Sequence, residues 1–114
     1  MRLVLDEINR RRRARGDKEV VHCSNIMSVY CEAHSEHMLS VDRLSKSPEY
    51  FRDGWIEAVA ASPASWGGWE DMEKGLVDLL LRDDDGYEIV YKVETVAYGL
   101  AFGDMRGYLT VRGQ

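Results

Sequence analysis

Both cysteines and all three histidines of this chain fall within the sixteen residues from His22 to His37. Thiolate and imidazole are the ligands that zinc takes in a tetrahedron, and a thiol beside an imidazole is also the pair from which a cysteine nucleophile is built. Cys23, Cys31, His34 and His37 are therefore the candidate metal ligands, and zinc is the one cofactor they imply. Their spacing limits the idea. Structural zinc sites bring two short ligand pairs together from separate elements, whereas a helix through this segment carries three of the four candidates. Cys31 and His34 are neighbours on it, as are His34 and His37, but Cys31 and His37 stand about 120° apart around the axis and ~9 Å along it. Two helical ligands plus Cys23 from the preceding turn is the arrangement that fits, with a water or a second chain completing the shell. The alternative places Cys31 and His34 in the core, since free cysteine is among the most buried residue types. As a nucleophile dyad the pair lacks an evident pocket and oxyanion donor. No Gly-x-Ser-x-Gly, phosphate-binding glycine loop or His-Glu-x-x-His occurs. The sequence leans away from an enzyme.

Three further groups have chemical potential. Arg10, Arg11, Arg12, Arg13 and Arg15 make an arginine-rich helix that suits phosphate backbones, an acidic neighbouring chain, or simply the negative end of the helix dipole. Trp66-Gly67-Gly68-Trp69 sets two large aromatics around a turn. With Glu70, Asp71 and Glu73 beside it, Trp66 is the better candidate to grip a basic partner, because Trp69 fits a buried stripe. Tyr87, Tyr91, Tyr98 and Tyr108 are expected on strand faces, where they could line a pocket for a small molecule. The Asp83–Gly86 run lacks the alternating acids of a calcium loop and reads as a turn.

The elements that must position these groups follow from periodicity. Residues 3–15 read as a short helix with Val4, Leu5 and Ile8 on its apolar side, ended by Arg15-Gly16-Asp17. Ser24 or Asn25 caps a second helix to about Leu44, in which Ile26, Met27, Tyr30, Cys31, His34, Met38 and Val41 share one face. Ser47-Pro48-Glu49 has the form of a helix start, predicting a third helix with Phe51, Trp55, Ala58 and Val59 buried and Ser62-Pro63 as its stop. Trp69, Met72, Leu76, Leu79 and Leu80 fit another helical face, although Gly75 leaves residues 76–82 open to a strand. Then Tyr87, Ile89, Tyr91 and Val93 alternate as in a strand. The apolar set shifts by one at Val96, Tyr98, Leu100 and Phe102, which predicts a bulge or break near 94–96. A hairpin loop at 103–107 leads into a last strand at Tyr108–Arg112.

A chain of 114 residues with 45% hydrophobic and 31% charged side chains is one globular domain, neither disordered nor divisible into two cores. Its expected organisation is a basic N-terminal helix or arm at 1–18, a mainly helical region at 24–82 and antiparallel strands at 86–112. The fold class is α+β, with three to four helices in the N-terminal two-thirds packed on a C-terminal hairpin or small sheet. No apolar run approaches the ~20 residues of a membrane span, and the N-terminus has its charges after its apolar residues, the reverse of a secretory signal. A cytoplasmic setting with reduced thiols is expected. Residues 1–18 carry +4 and the remainder −9, a polarity that suits charged partners or other copies of the chain.

These features favour a small acidic interaction factor of inhibitor, immunity-type or accessory kind, which binds a partner with a basic surface and performs no catalysis. The alternatives are a regulator linked to metal or nucleic acid through the Cys/His cluster and the arginine helix, and a small-molecule-binding or enzymatic α+β cone with a tyrosine-lined pocket. A homo-oligomer paired through the last strand also suits the pattern.

Overall fold

In the computed structural model, which describes residues 3–20, 22–48, 52, 54–63, 69–103 and 106–114, a four-stranded sheet separates two helical layers. The strands are β1 (His22–Cys23), β2 (Ile56–Pro63), β3 (Thr95–Phe102) and β4 (Arg106–Gly113), arranged β1-β3-β4-β2. β4 pairs antiparallel with both β3 and β2, and the two-residue β1 runs parallel to β3. Helix α2 (Asn25–Val41) covers one face, while α3 (Trp69–Leu80) and α4 (Asp84–Tyr91) cover the other and α1 (Leu3–Arg15) packs on that helix pair. The α+β class expected from the sequence is what the chain adopts.

The two sheet faces differ in residue size, and that difference sorts the helices. Val96, Leu109, Val111, Ala58 and Ala60 join Val4, Ile8, Leu76, Val77, Leu80, Ile89 and Val90 in the main core. The alternate positions of β3 are Ala97, Gly99 and Ala101, and the small side chains let α2 lie directly on the sheet. A Cβ at Gly99 would collide with the backbone nitrogen of Glu32, so that position accepts glycine alone. Ser35 on α2 donates its hydroxyl to the Gly99 carbonyl at 2.8 Å and meets the Thr110 hydroxyl at 2.8 Å.

Short-range signals hold at several element ends. Ser24 caps α2 by accepting from the Met27 N–H at 3.1 Å. Gly16, at φ +77°, closes α1 with Gly16 N–H donating to Arg13 and Asp17 N–H to Arg12, the paired reverse bonds of a left-handed C-cap. Residues 76–80 are helical, which resolves the choice left open by Gly75.

Two expectations are overturned. The segment after Ser47-Pro48 forms no helix among its described residues; Ala58 and Val59 lie in β2 instead. Cross-strand pairing overrode the capping pattern there, because Glu57 sits opposite Arg112 in the register and the two side chains form an ion pair. The alternating run from Tyr87 to Tyr91 is helix α4, not a strand. Its buried residues Gly86, Ile89 and Val90 follow helical spacing, Asp83 caps it, and Asp84 and Asp85 lie at the positive end of its dipole. A Cβ on Gly86 would run into the Leu80 carbonyl oxygen, so glycine lets α4 start hard against the end of α3. The shift near 94–96, expected as a bulge or a break, is a break: the junction of helix α4 with β3.

Finally, the apolar stripe expected on α2 is split. Cys31 and Met38 are buried and Met27 and His34 half-buried, but Ile26, Tyr30 and Val41 face outward.

Candidate functional site

The outer face of α2 is the largest apolar feature left uncovered among the described residues. Ile26 is 77% exposed, Val29 66%, Tyr30 58% and Val41 52%, and Leu44 beyond the helix is 48% exposed. Isolated exposed apolar residues are ordinary on a protein surface; five on one helix and its exit are not. Ile26, Tyr30, Ala33, His37 and Val41 follow one another at steps of four, three, four and four, so they form one line along the helix. Val29 and Glu36 border that line on one side, and the exposed Glu32 lies further round the same flank, towards the sheet, where its backbone meets Gly99.

On its other side the line falls into a pocket of about 720 Å³. One wall is Tyr30, Ala33, His34 and His37 of α2, the other is Ser45–Pro48, and Arg112 of β4 reaches the floor. That volume lies within the range of small-molecule sites. The wall at 45–48 is held from beneath. The Glu57 carboxylate, fully buried, accepts from the Ser47 N–H at 2.6 Å, the Ser47 hydroxyl at 2.8 Å and Arg112 Nε at 2.8 Å. Arg112 Nη2 also donates to the Ser47 hydroxyl at 3.2 Å. With three donors and a cation the carboxylate offsets its desolvation, and the same bonds lock the pocket wall to the sheet. From α2, His34 Nε2 lies 2.6 Å from the Ser45 carbonyl oxygen. A carbonyl has no proton to give, so that nitrogen carries one. At the outer rim, Lys46 pairs with Asp83 at 2.6 Å and Asp85 at 3.2 Å. Burial disfavours the charged Lys46, but these two carboxylates outweigh it and raise its pKa.

The candidate metal ligands do not converge. Among the described residues no group of three or more His, Cys, Asp or Glu side chains gathers where an ion could sit. His34 and His37 stack with ring centres 6.1 Å apart. Cys31 is fully buried against the sheet, and burial first of all pushes its thiol up to about 12, which suppresses the thiolate that a nucleophile or ligand requires.

The five arginines are each committed within the chain. Arg10 and Arg11 donate to Glu7, and Arg11 reaches Asp78 of α3 at 2.6 Å. The buried Arg12 donates to the Val90, Ile89 and Lys18 carbonyls, satisfying the C-terminal end of α4. Arg13 pairs with Glu19, and Arg15 stacks 4.0 Å over the Tyr91 ring and donates to the Tyr87 hydroxyl. The basic segment, expected as a helix or arm, is helix α1 docked on α3 and α4.

The four tyrosines are dispersed. Tyr87 and Tyr91 pack together on α4 with centroids 5.0 Å apart, Tyr98 lies on β3, and the buried Tyr108 donates its hydroxyl to Asp42 at 2.7 Å. They form no common pocket, because two of them are on a helix. Glu70, Asp71 and Glu73 fall on the first turns of α3, and Trp66 lies outside the described residues.

Sequence reasoning gave no site role to Ile26, Val29, Leu44, Ser45–Pro48, Glu57 or Arg112. The signal that was present is the second line of α2, Ile26-Tyr30-Ala33-His37-Val41. It was hidden because its apolar members merge with those of the buried line, while the buried line includes the polar Ser35.

No protein-family model matches the sequence, and no curated protein matches it. Among solved structures, the fold is similar to that of an outer surface protein from Borrelia burgdorferi, with a TM-score of 0.67 and 6% identity, covering 100% of this chain and 91% of that one. At that identity the likeness concerns the fold alone. Among the described residues, no helix is long and apolar enough to cross a membrane.

Proposed function

We propose that this protein is a non-catalytic interaction factor whose binding surface is the outer face of α2 together with the pocket beside it. The observation that carries the reading is the exposure of five large apolar side chains, Ile26, Val29, Tyr30, Val41 and Leu44, on α2 and its exit. Apolar surface of this extent, rimmed by charge, is characteristic of contact sites. The partner has a basic surface, as the −9 carried by residues 19–114 and the exposed Glu32 and Glu36 favour. A cytoplasmic setting, in which Cys23 and Cys31 stay reduced, suits the two free thiols.

The alternatives draw less support. Arg12 is buried on the carbonyls of α4 and Arg11 is held by Glu7 and Asp78, so two of the five arginines are drawn into the fold and away from a phosphate-binding face. Zinc through Cys23, Cys31, His34 and His37 draws little support, since no three His, Cys, Asp or Glu side chains gather among the described residues and Cys31 is fully buried.

The test is photocrosslinking in the cells that make the protein. A benzophenone side chain placed at Val29 is expected to give a discrete adduct that disappears with Tyr30→Asp, whereas the same group at the exposed Ala14 of α1, on the other side of the sheet, gives none. Equal labelling at both positions, or none at Val29, would remove α2 as the binding face.

A further inference from the structure

We infer that the occupant of the α2 face is a basic amphipathic helix, which lies along the line from Ile26 to Val41 and seats one large apolar side chain in the pocket next to Tyr30 and His37. This rests on the reading of α2 as the binding face and adds the chemistry of what binds there.

Geometry selects a helix. The line of Ile26, Tyr30, Ala33, His37 and Val41 is straight along the α2 axis for ~22 Å, about four turns. Ala33 is the small residue between Tyr30 and His37, so the ridge has a notch at mid-length, and the notch opens into the pocket whose wall Ala33 forms. A ridge with a central notch fits the side chains that a second helix presents at i, i+3 or i+4, and i+7. An extended segment would need free backbone donors and acceptors to pair with, and the backbone of α2 spends its own within the helix.

Charge selects the sign. Glu36 stands exposed along one edge, with the exposed Glu32 lower on the same flank. At the opposite wall the rim cation Lys46 is held by Asp83 and Asp85, whose side chains remain 41% and 39% exposed. Lysine or arginine flanks on an incoming helix find acids on both sides. Anionic lipid headgroups find repulsion there, which makes a membrane surface a poor occupant. A second copy is disfavoured for a similar reason: two such faces packed antiparallel about a twofold axis would set one Glu32–Glu36 edge against the other.

The probes are two synthetic peptides of about four helical turns with the same leucine and tryptophan stripe, one flanked by lysine and arginine and the other by glutamate. Binding is read by fluorescence anisotropy, by backbone amide NMR shifts and by the peptide's helical circular dichroism. The expected result is that the basic peptide binds, becomes helical and shifts amides along 26–44, while the acidic one does not. Ala33→Trp, which fills the notch at an exposed position, should abolish binding. Joint Glu32→Lys and Glu36→Lys should weaken it roughly tenfold and favour the acidic peptide. Equal binding of both peptides, or shifts away from α2, would overturn the inference. A dimer in sedimentation that Ile26→Asp dissociates would also overturn it while leaving α2 as a contact face. No binding by either peptide to a monomeric protein overturns the inference too, and the crosslinking result at Val29 then decides separately whether the face itself survives.

Discussion

Among single residues, the most consequential pair is Glu57 with Arg112, 0% and 3% exposed and 2.8 Å apart. Removing one partner leaves an uncompensated charge inside the protein, which costs far more than the pair contributes. Arg112→Ala is therefore expected to lower stability by about 3–5 kcal/mol, measured by urea unfolding, whereas Glu57→Gln combined with Arg112→Met, which removes both charges but keeps an acceptor for Ser47, should cost much less. Equal losses for the single and double variants would show that packing, not charge, dominates the site. The two cysteines should differ chemically. An alkylating reagent at neutral pH is expected to modify the half-buried Cys23 and to reach Cys31 only on unfolding. Because folding holds the Cys31 pKa at about 12 against an ordinary 9.0, its contribution to stability is complete below 9 and is lost as the pH rises from 9 towards 12. Equal native-state labelling of both thiols would show that α2 lifts from the sheet more readily than its packing implies.

Among the elements, α2 has two unlike faces, and substitutions should separate them. Ile26→Asp or Val29→Asp on the outer face is expected to change stability by no more than about 0.5 kcal/mol, because neither side chain is buried by the fold. Gly99→Val on the strand beneath should prevent native packing of α2, since the new carbon meets the Glu32 backbone and not a movable side chain. Thermal melts of the variants check both outcomes; a large loss from Ile26→Asp would mean that the outer face is covered within the folded chain. The approach to β2 is decided away from its own residues. Ser47-Pro48-Glu49 carries the right residues for a helix N-terminus, yet Ser47 spends both its N–H and its hydroxyl on Glu57. Its capping capacity is consumed by a residue ten positions on, which no local window reveals.

For the molecule as a whole, the +4 of residues 1–18 is taken up within the fold, by Glu7, Asp17, Glu19 and Asp78 and by the α4 carbonyls, while the remaining residues keep a net acidic surface. Burial opposes charging Glu7, but the hydrogen bonds from Arg10 and Arg11 outweigh it and lower its pKa below the ordinary 4.5. A lowered carboxyl pKa stabilises the fold above the unfolded-state value and loses that contribution as the pH falls through the folded-state value. Stability is thus expected to decline below about pH 4.5, and Glu7→Gln should show a shallower acid dependence in denaturant titrations. Arg12→Ala should cost about 1–3 kcal/mol by leaving the buried Val90 and Ile89 carbonyls short of a donor. Loss of stability from arginine substitutions in α1 would then reflect docking of the helix and not the loss of a nucleic-acid contact.

Features under short-range control are legible in the chain before it folds. The capped start of α2, the glycine end of α1, the loop between β3 and β4 and the α+β class belong here, because side chains a few residues apart enforce them. Which line of α2 is buried is a matter of tertiary packing, since the choice between Cys31-Ser35-Met38 and Ile26-Tyr30-Val41 depends on Ala97, Gly99 and Ala101 lying beneath it. The helical state of Tyr87–Tyr91 and the passage of the segment after Ser47 into a strand were settled in the same way. In each case a distant partner, or a close approach permitted by one glycine, outweighed the local pattern. The candidate site was hidden for the same reason: its walls come from α2, residues 45–48 and β4, and neither chain order nor spacing brings those three together.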